Sequence, residues 1–126
     1  MKEPDRIHQN IFFSVIDGLI LVSPYLSILH SNLAIEDMFH KSRDAISNRP
    51  LEELFPRQPQ ILDKVRKVLV TGACYHDVEA NGARKTAAIQ FPVNLNLSPY
   101  LESDDTIQGV ITVSYTHLTL PTTPYV

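Results

Sequence analysis

The chain of 126 residues reads as one α+β domain built on an antiparallel sheet. Three observations predict this. Five stretches have strand character, and they fall into a pair near the start and a trio near the end. Turn signals of the hairpin kind join the members of each group, which is the pattern of an antiparallel sheet rather than of alternating βαβ units. Between the groups the apolar period changes to three and four, the spacing of amphipathic helices. A chain of this length can bury a core without disulfide or metal support.

The elements follow in order. Pro4-Asp5 opens a helix whose apolar stripe is Ile7, Ile11, Phe12, Val15 and Ile16, ending before the turn signal Asp17-Gly18. Leu19, Ile20, Leu21 and Val22 form a strand that is apolar on both faces. An antiparallel strand with one wet face would alternate, so something must cover its second face. The N-terminal helix (residues 1–17) is the expected lid, and Ile7, Ile11, Phe12 and Val15 are its candidate interface residues toward a second subunit. Pro24 suits a turn because its φ is already set. Tyr25–His30 resumes as a strand.

Asn32 is placed to cap a helix carrying Ala34, Ile35, Met38 and Phe39 on one side. Lys41–Asn48 reads as a short polar helix or turn, with Asn48 a left-handed position. Pro50–Phe55 is one helical turn stopped by Pro56. A longer helix over Pro59–Thr71 has the stripe Ile61, Leu62, Val65, Val68 and Leu69, and Gly72 closes it. The period then becomes two. Cys74–Ala80 is expected to be a strand, Asn81-Gly82 a hairpin turn, and Thr86–Ser98 a long strand in which Pro92 implies a bulge or a locally unpaired ladder position. Ile89, Phe91, Val93, Leu95 and Leu97 share one face of it, Gln90, Asn94 and Asn96 the other. Leu101–Thr106 is an acidic loop, and Ile107–Thr112 is the last strand.

Composition excludes several functions. A net charge of −3, with no contiguous basic run longer than the doublets Arg66-Lys67 and Arg84-Lys85, argues against a nucleic-acid surface. One cysteine fits a reducing compartment. The longest apolar stretch, Ile11–Val22, is interrupted and too short to span a bilayer, and the acidic start MKEPDR is unlike a signal peptide. The expected location is the cytoplasm, away from membranes. Cys74 and His76 share a strand face, with Asp77 and His30 the other nearby candidates, but zinc needs three or four convergent ligands and no second Cys exists. Neither a phosphate loop nor a nucleophile–base motif is visible. The chain is expected to be no enzyme and to hold no metal or cofactor. The remaining candidate is an apolar pocket where Phe39, Leu54, Phe55, Ile61, Val65 and Leu69 converge on the sheet.

The order of elements and a set of short motifs resemble the PAS sensor domains of bacterial signalling proteins. Asn32-Leu33-Ala34-Ile35-Glu36-Asp37-Met38-Phe39 follows that family's Asn-Pro-Ala-Ala-Glu-x-Leu-Phe pattern. Asp17-Gly18, Asn48-Arg49-Pro50-Leu51, Glu53-Leu54-Phe55-Pro56 and Pro92-Val93 also match, and the resemblance runs from about Arg6 to Thr112. His40 and Asn48 stand where the family often has Gly, and Leu33 replaces a Pro. The resemblance implies a five-stranded antiparallel sheet in spatial order 2-1-5-4-3 with short helices on one face. It also implies a regulatory role. This sequence looks most like the N-terminal sensor module of nitrogen-regulation-type histidine kinases, acting through homodimer or partner contacts. An alternative is a small-molecule sensor with an occupied apolar pocket, feeding a cyclase or transcriptional activator. The flavin-binding relatives carry a Gly-x-Asn-Cys motif that Cys74 does not match, and the haem-binding relatives use a helical His that Pro59–Thr71 lacks.

After Thr112 the composition shifts. Ser114–Val126 carries no charge apart from a protonatable His117 and is crowded with Thr and Pro. Val113–Thr122 is similar to the in-frame translation of a transposase-type sequencing adapter. Residues 18–112 are therefore expected to be the sensor domain and 113–126 a non-native tail, with the native gene continuing into an output domain. The alternative is a genuine Thr-rich strand. In either case the high β-propensity of Tyr115–Leu118 favours extending the last strand.

Overall fold

A computed structural model describes residues 17–84, 89–102 and 105–115. The N-terminal stripe Ile7, Ile11, Phe12 and Val15 lies outside the described residues, as does the tail from residue 116. The described chain forms strands β1 (Gly18–Val22) and β2 (Ile28–Ser31), helices α1 (Leu33–Phe39) and α2 (Arg43–Ile46), and a 3₁₀ turn at Leu51–Glu53. Helix α3 (Pro59–Thr71) and strands β3 (Tyr75–Arg84), β4 (Ile89–Leu101) and β5 (Ile107–Tyr115) complete it. The five strands make one sheet in the order β2-β1-β5-β4-β3, all pairs antiparallel. The sheet thus consists of two sequence-local pairs, β1–β2 and β3–β4, joined through β5.

The helices begin and end where the sequence indicates. Asn32 caps α1: its Oδ1 accepts from the Ile35 amide at 3.2 Å, satisfying a first-turn donor that has no helical partner. The same oxygen accepts from the Leu19 amide at 2.9 Å, and Nδ2 donates to the Asp17 carbonyl at 3.2 Å. One buried side chain therefore fixes α1 against the start of β1. His40 ends α1 in the left-handed region, exposed, and its amide donates to the Glu36 carbonyl. Gly72 ends α3 in the same region at φ 76°, at little cost without a Cβ. Asn48 is left-handed at φ 64°, and its amide donates to the Ile28 carbonyl at 2.7 Å.

The core lies between one sheet face and the helices. Ile20, Val22 and Ile28 from the first hairpin meet Ile35 and Phe39 of α1, Phe55, and Ile61, Val65 and Val68 of α3. Phe39 sits edge-on to both Phe55 and Phe91, with ring centroids 5.7 and 5.0 Å apart. Such geometry sets the positive ring edge against the negative face.

One expectation about the second hairpin is corrected, and of the two alternatives at Pro92 the bulge is not seen. Asn81-Gly82 is not a turn: β3 runs through it to Arg84, with Asn81 opposite Pro92 and Gly82 opposite Phe91. Gly82 is there for space, since a Cβ would fall 2.6 Å from the Phe91 ring and 2.8 Å from the Phe39 ring. The register also does not shift at Pro92; it shifts between Tyr75 and Val78 and between Tyr100 and Leu101. Pro92 stands opposite Asn81 of β3, and described β5 ends at Tyr115, opposite Asn94. Strand β5 itself runs to Tyr115, past the compositional shift at Thr112.

Candidate functional site

The sequence-derived pocket residues do come together, as packed core. Phe39, Leu54, Phe55, Ile61 and Val65 are each at most 1% exposed and belong to one cluster, with Leu69 partly buried at its margin. Polar atoms on this core face are few. Ser31 and Thr112, both opposite Ile20, are 8% and 0% exposed, and neither hydroxyl has a hydrogen-bond partner among the described residues. Ser114, also fully buried, donates to the Met38 sulfur at 3.5 Å.

The other face of the sheet is different. Along β1 the buried residues are Gly18, Ile20 and Val22, which leaves Leu19 and Leu21 on the far side, half-buried. Leu21 stands opposite Ile111 of β5 and His30 of β2. A groove of about 570 Å³ follows this row. Leu19, Leu21 and Ile111 form its floor, with Tyr100 of β4 at one end. Beyond the β2 edge, Leu33, Arg43 and Ser47 form the other end. Leu33 is 61% exposed at this end. A second hollow of about 380 Å³ lies between the β1–β2 turn and α3, lined by Tyr25, Leu26, Arg66, Leu69 and Val70. Sequence reasoning foresaw that β1 is apolar on both faces. It missed the groove because Tyr100, Arg43 and Leu33 reach it from three separate elements.

A polar cluster occupies the same face farther along. The Tyr115 hydroxyl donates to Asp77 Oδ1 and lies 3.4 Å from Asn96 Oδ1, which accepts from the Asp77 amide at 2.9 Å. Asp77 has φ 56°, within the β3 irregularity that turns its side chain toward Tyr115. The bond to Asp77 holds the proton on Tyr115, pushing its pKa up to about 12. At the opposite edge Arg49 and Glu53 form an ion pair one helical turn apart. The hydrogen bond to Arg49 holds the Glu53 carboxyl below its usual range. Among the described residues no group of three or more His, Cys, Asp and Glu side chains could hold a metal ion. Cys74 is a free, exposed thiol. No described helix is long and apolar enough to cross a membrane.

A family profile described as the PAS fold matches residues 12–117. The chain belongs to the PAS-fold family. Solved PAS domains share its architecture at low sequence identity. The PAS domain of a Colwellia psychrerythraea protein is 13% identical over 90% of this chain and 97% of that one, with a TM-score of 0.78. A domain of a sensory box sensor histidine kinase/response regulator from Geobacter sulfurreducens is 16% identical, covering 91% and 99%, at 0.70. The PAS domain of nitrogen regulation protein NR(II) from Vibrio parahaemolyticus is 15% identical, covering 86% and 94%, at 0.66. No curated protein sequence matches the chain. As a PAS domain it is a sensory module, and its sheet order and capped α1 are those expected from the Asn32–Phe39 motif.

Proposed function

We propose that this PAS domain is the input module of a cytoplasmic two-component sensor histidine kinase, relaying signals through contacts on the outer sheet face. One observation carries the reading: Leu19, Leu21, Ile111 and Tyr100 keep an apolar groove on the side of the sheet away from the helices. Apolar surface at the centre of a sheet is stabilised by a covering partner at roughly 25 cal/mol per Å² buried. The covering partner in this reading is the N-terminal segment, through Ile7, Ile11, Phe12 and Val15, together with a second copy of the chain. The neighbours from a sensor kinase and from NR(II) support the kinase assignment at the level of fold.

Sedimentation across a concentration series tests the contact surface. A reversible dimer that weakens on Leu21→Glu, with the melting profile retained, is the expected result. A chain that stays monomeric at every concentration sinks the dimer reading. The genomic sequence downstream of Thr112 tests the output: a dimerisation helix and kinase domain are expected there, and a gene that ends with the Thr-rich tail removes both the kinase assignment and the adapter reading.

A second reading, a small-molecule sensor with a ligand on the core face, is favoured by the buried hydroxyls of Ser31 and Thr112, which lack partners among the described residues. Native mass spectrometry of the freshly purified chain decides it. A mass equal to the polypeptide alone, with no thermal shift across metabolite libraries, would reject this reading.

A further inference from the structure

The geometry points to a second ligand site, distinct from the core face: the outer groove binds a small amphipathic carboxylate, its apolar body on Leu21 and Ile111 and its anion at Arg43. The groove volume of about 570 Å³ lies within the usual range for small-molecule sites. Its polarity is graded. The β1–β5 floor and Tyr100 are apolar or amphipathic, whereas the β2 end brings His30 and Arg43, and among the described residues no Asp or Glu lines it. The Arg43 side chain is 69% exposed and meets Glu36 only through Nε at 3.7 Å, beyond hydrogen-bond distance. Among the described residues its terminal nitrogens make no hydrogen bond, so the planar fork is available to a planar carboxylate. A single guanidinium suits one negative charge better than a phosphate dianion. Leu33, mostly exposed beside Arg43, supplies the apolar contact that would separate such a ligand from a bare inorganic anion.

The site shares Leu21 and Ile111 with the relay face proposed above, so the ligand competes there with the covering segment or second copy, and binding and self-association are followed in the same samples. The full chain, labelled at leucine and isoleucine methyls, is titrated with decanoate and with 1-decanol, and each point is also sedimented. Decanoate is expected to shift Leu19, Leu21, Leu33 and Ile111 and to bind roughly tenfold more tightly than decanol. That advantage should shrink with added salt, disappear in Arg43→Gln and return in part in Arg43→Lys. Arg43 is exposed, so the variants are expected to fold, and their unperturbed methyl spectra verify it. Equal affinity for decanoate and decanol, shifts confined to core residues such as Ile61 and Leu54, or binding only to vesicles of anionic lipid would each overturn the site. An absence of shifts at millimolar decanoate would overturn it too. A dimer that persists while decanoate fails leaves the relay reading standing; decanoate binding to a strict monomer does the reverse.

Discussion

Asn32 links two elements with one amide. Its oxygen serves the Leu19 and Ile35 amides and its nitrogen the Asp17 carbonyl, all from a site 3% exposed. Removing it leaves buried donors unsatisfied, which costs more than the bonds contribute. Asn32→Ala is expected to lower unfolding free energy by about 2 kcal/mol, and Asn32→Asp, which keeps the acceptor, by less. Urea denaturation of the three proteins reads this directly. Tyr115 gives a pH prediction. Its pKa is raised in the folded state, to about 12 from an ordinary value near 10, so the folded chain holds this proton more tightly. Its contribution is therefore complete below about pH 10 and is lost as pH rises through about 12. Urea midpoints should fall over that window more steeply in the parent than in Tyr115→Phe. Glu53 behaves oppositely: its lowered pKa stabilises above the ordinary carboxylate range and is lost on acidification, weakly because the pair is exposed.

At the scale of elements, the exposed edge of the sheet is partly closed by a side chain. Gln58 imitates a neighbouring strand: its Nε2 donates to the Asn81 carbonyl and its Oε1 accepts from the Asn81 amide, both at 2.8 Å. Two residues on, the Ala83 amide donates to the Leu54 carbonyl at 2.9 Å. These bonds blunt an edge that could otherwise pair with another chain. Gln58→Ala should abolish slowed hydrogen exchange at the Asn81 amide and lower stability by about 1 kcal/mol. What was legible in the sequence follows the same physics. Helix α3 was readable from its stripe and Gly72, and α1 from Asn32, because both signals are local. The run of β3 through Asn81-Gly82 was not. Glycine there serves the Phe39 and Phe91 rings, and only the folded chain shows that they meet. The core cluster was predictable as a set of apolar positions, whereas the groove depends on the register that sets Leu21 beside Ile111.

For the molecule as a whole, the register also explains where close packing is least forgiving. Gly109 of β5 faces the Val22 backbone so closely that a Cβ would overlap its carbonyl oxygen. Gly109→Ala is expected to force β5 away from β1 and cost about 1–3 kcal/mol, with amide protection lost in β1 and β2 before β3 and β4. Native-state hydrogen exchange would show that order, and a uniform loss across the sheet would contradict it.

The position of β5 between the two hairpins has a kinetic side. β1 and β2 can meet as soon as both are made, and so can β3 and β4, since each pair is close in sequence. Within the sheet the two pairs are joined only when Gly18 finds Ser114, a closure spanning most of the chain. Loop-closure entropy must be met before that contact returns any stability. Folding should therefore stall as two partly formed hairpins until the last strand arrives. On the ribosome, β5 is made after the other four described strands, so this sheet closes only once β5 has left the exit tunnel.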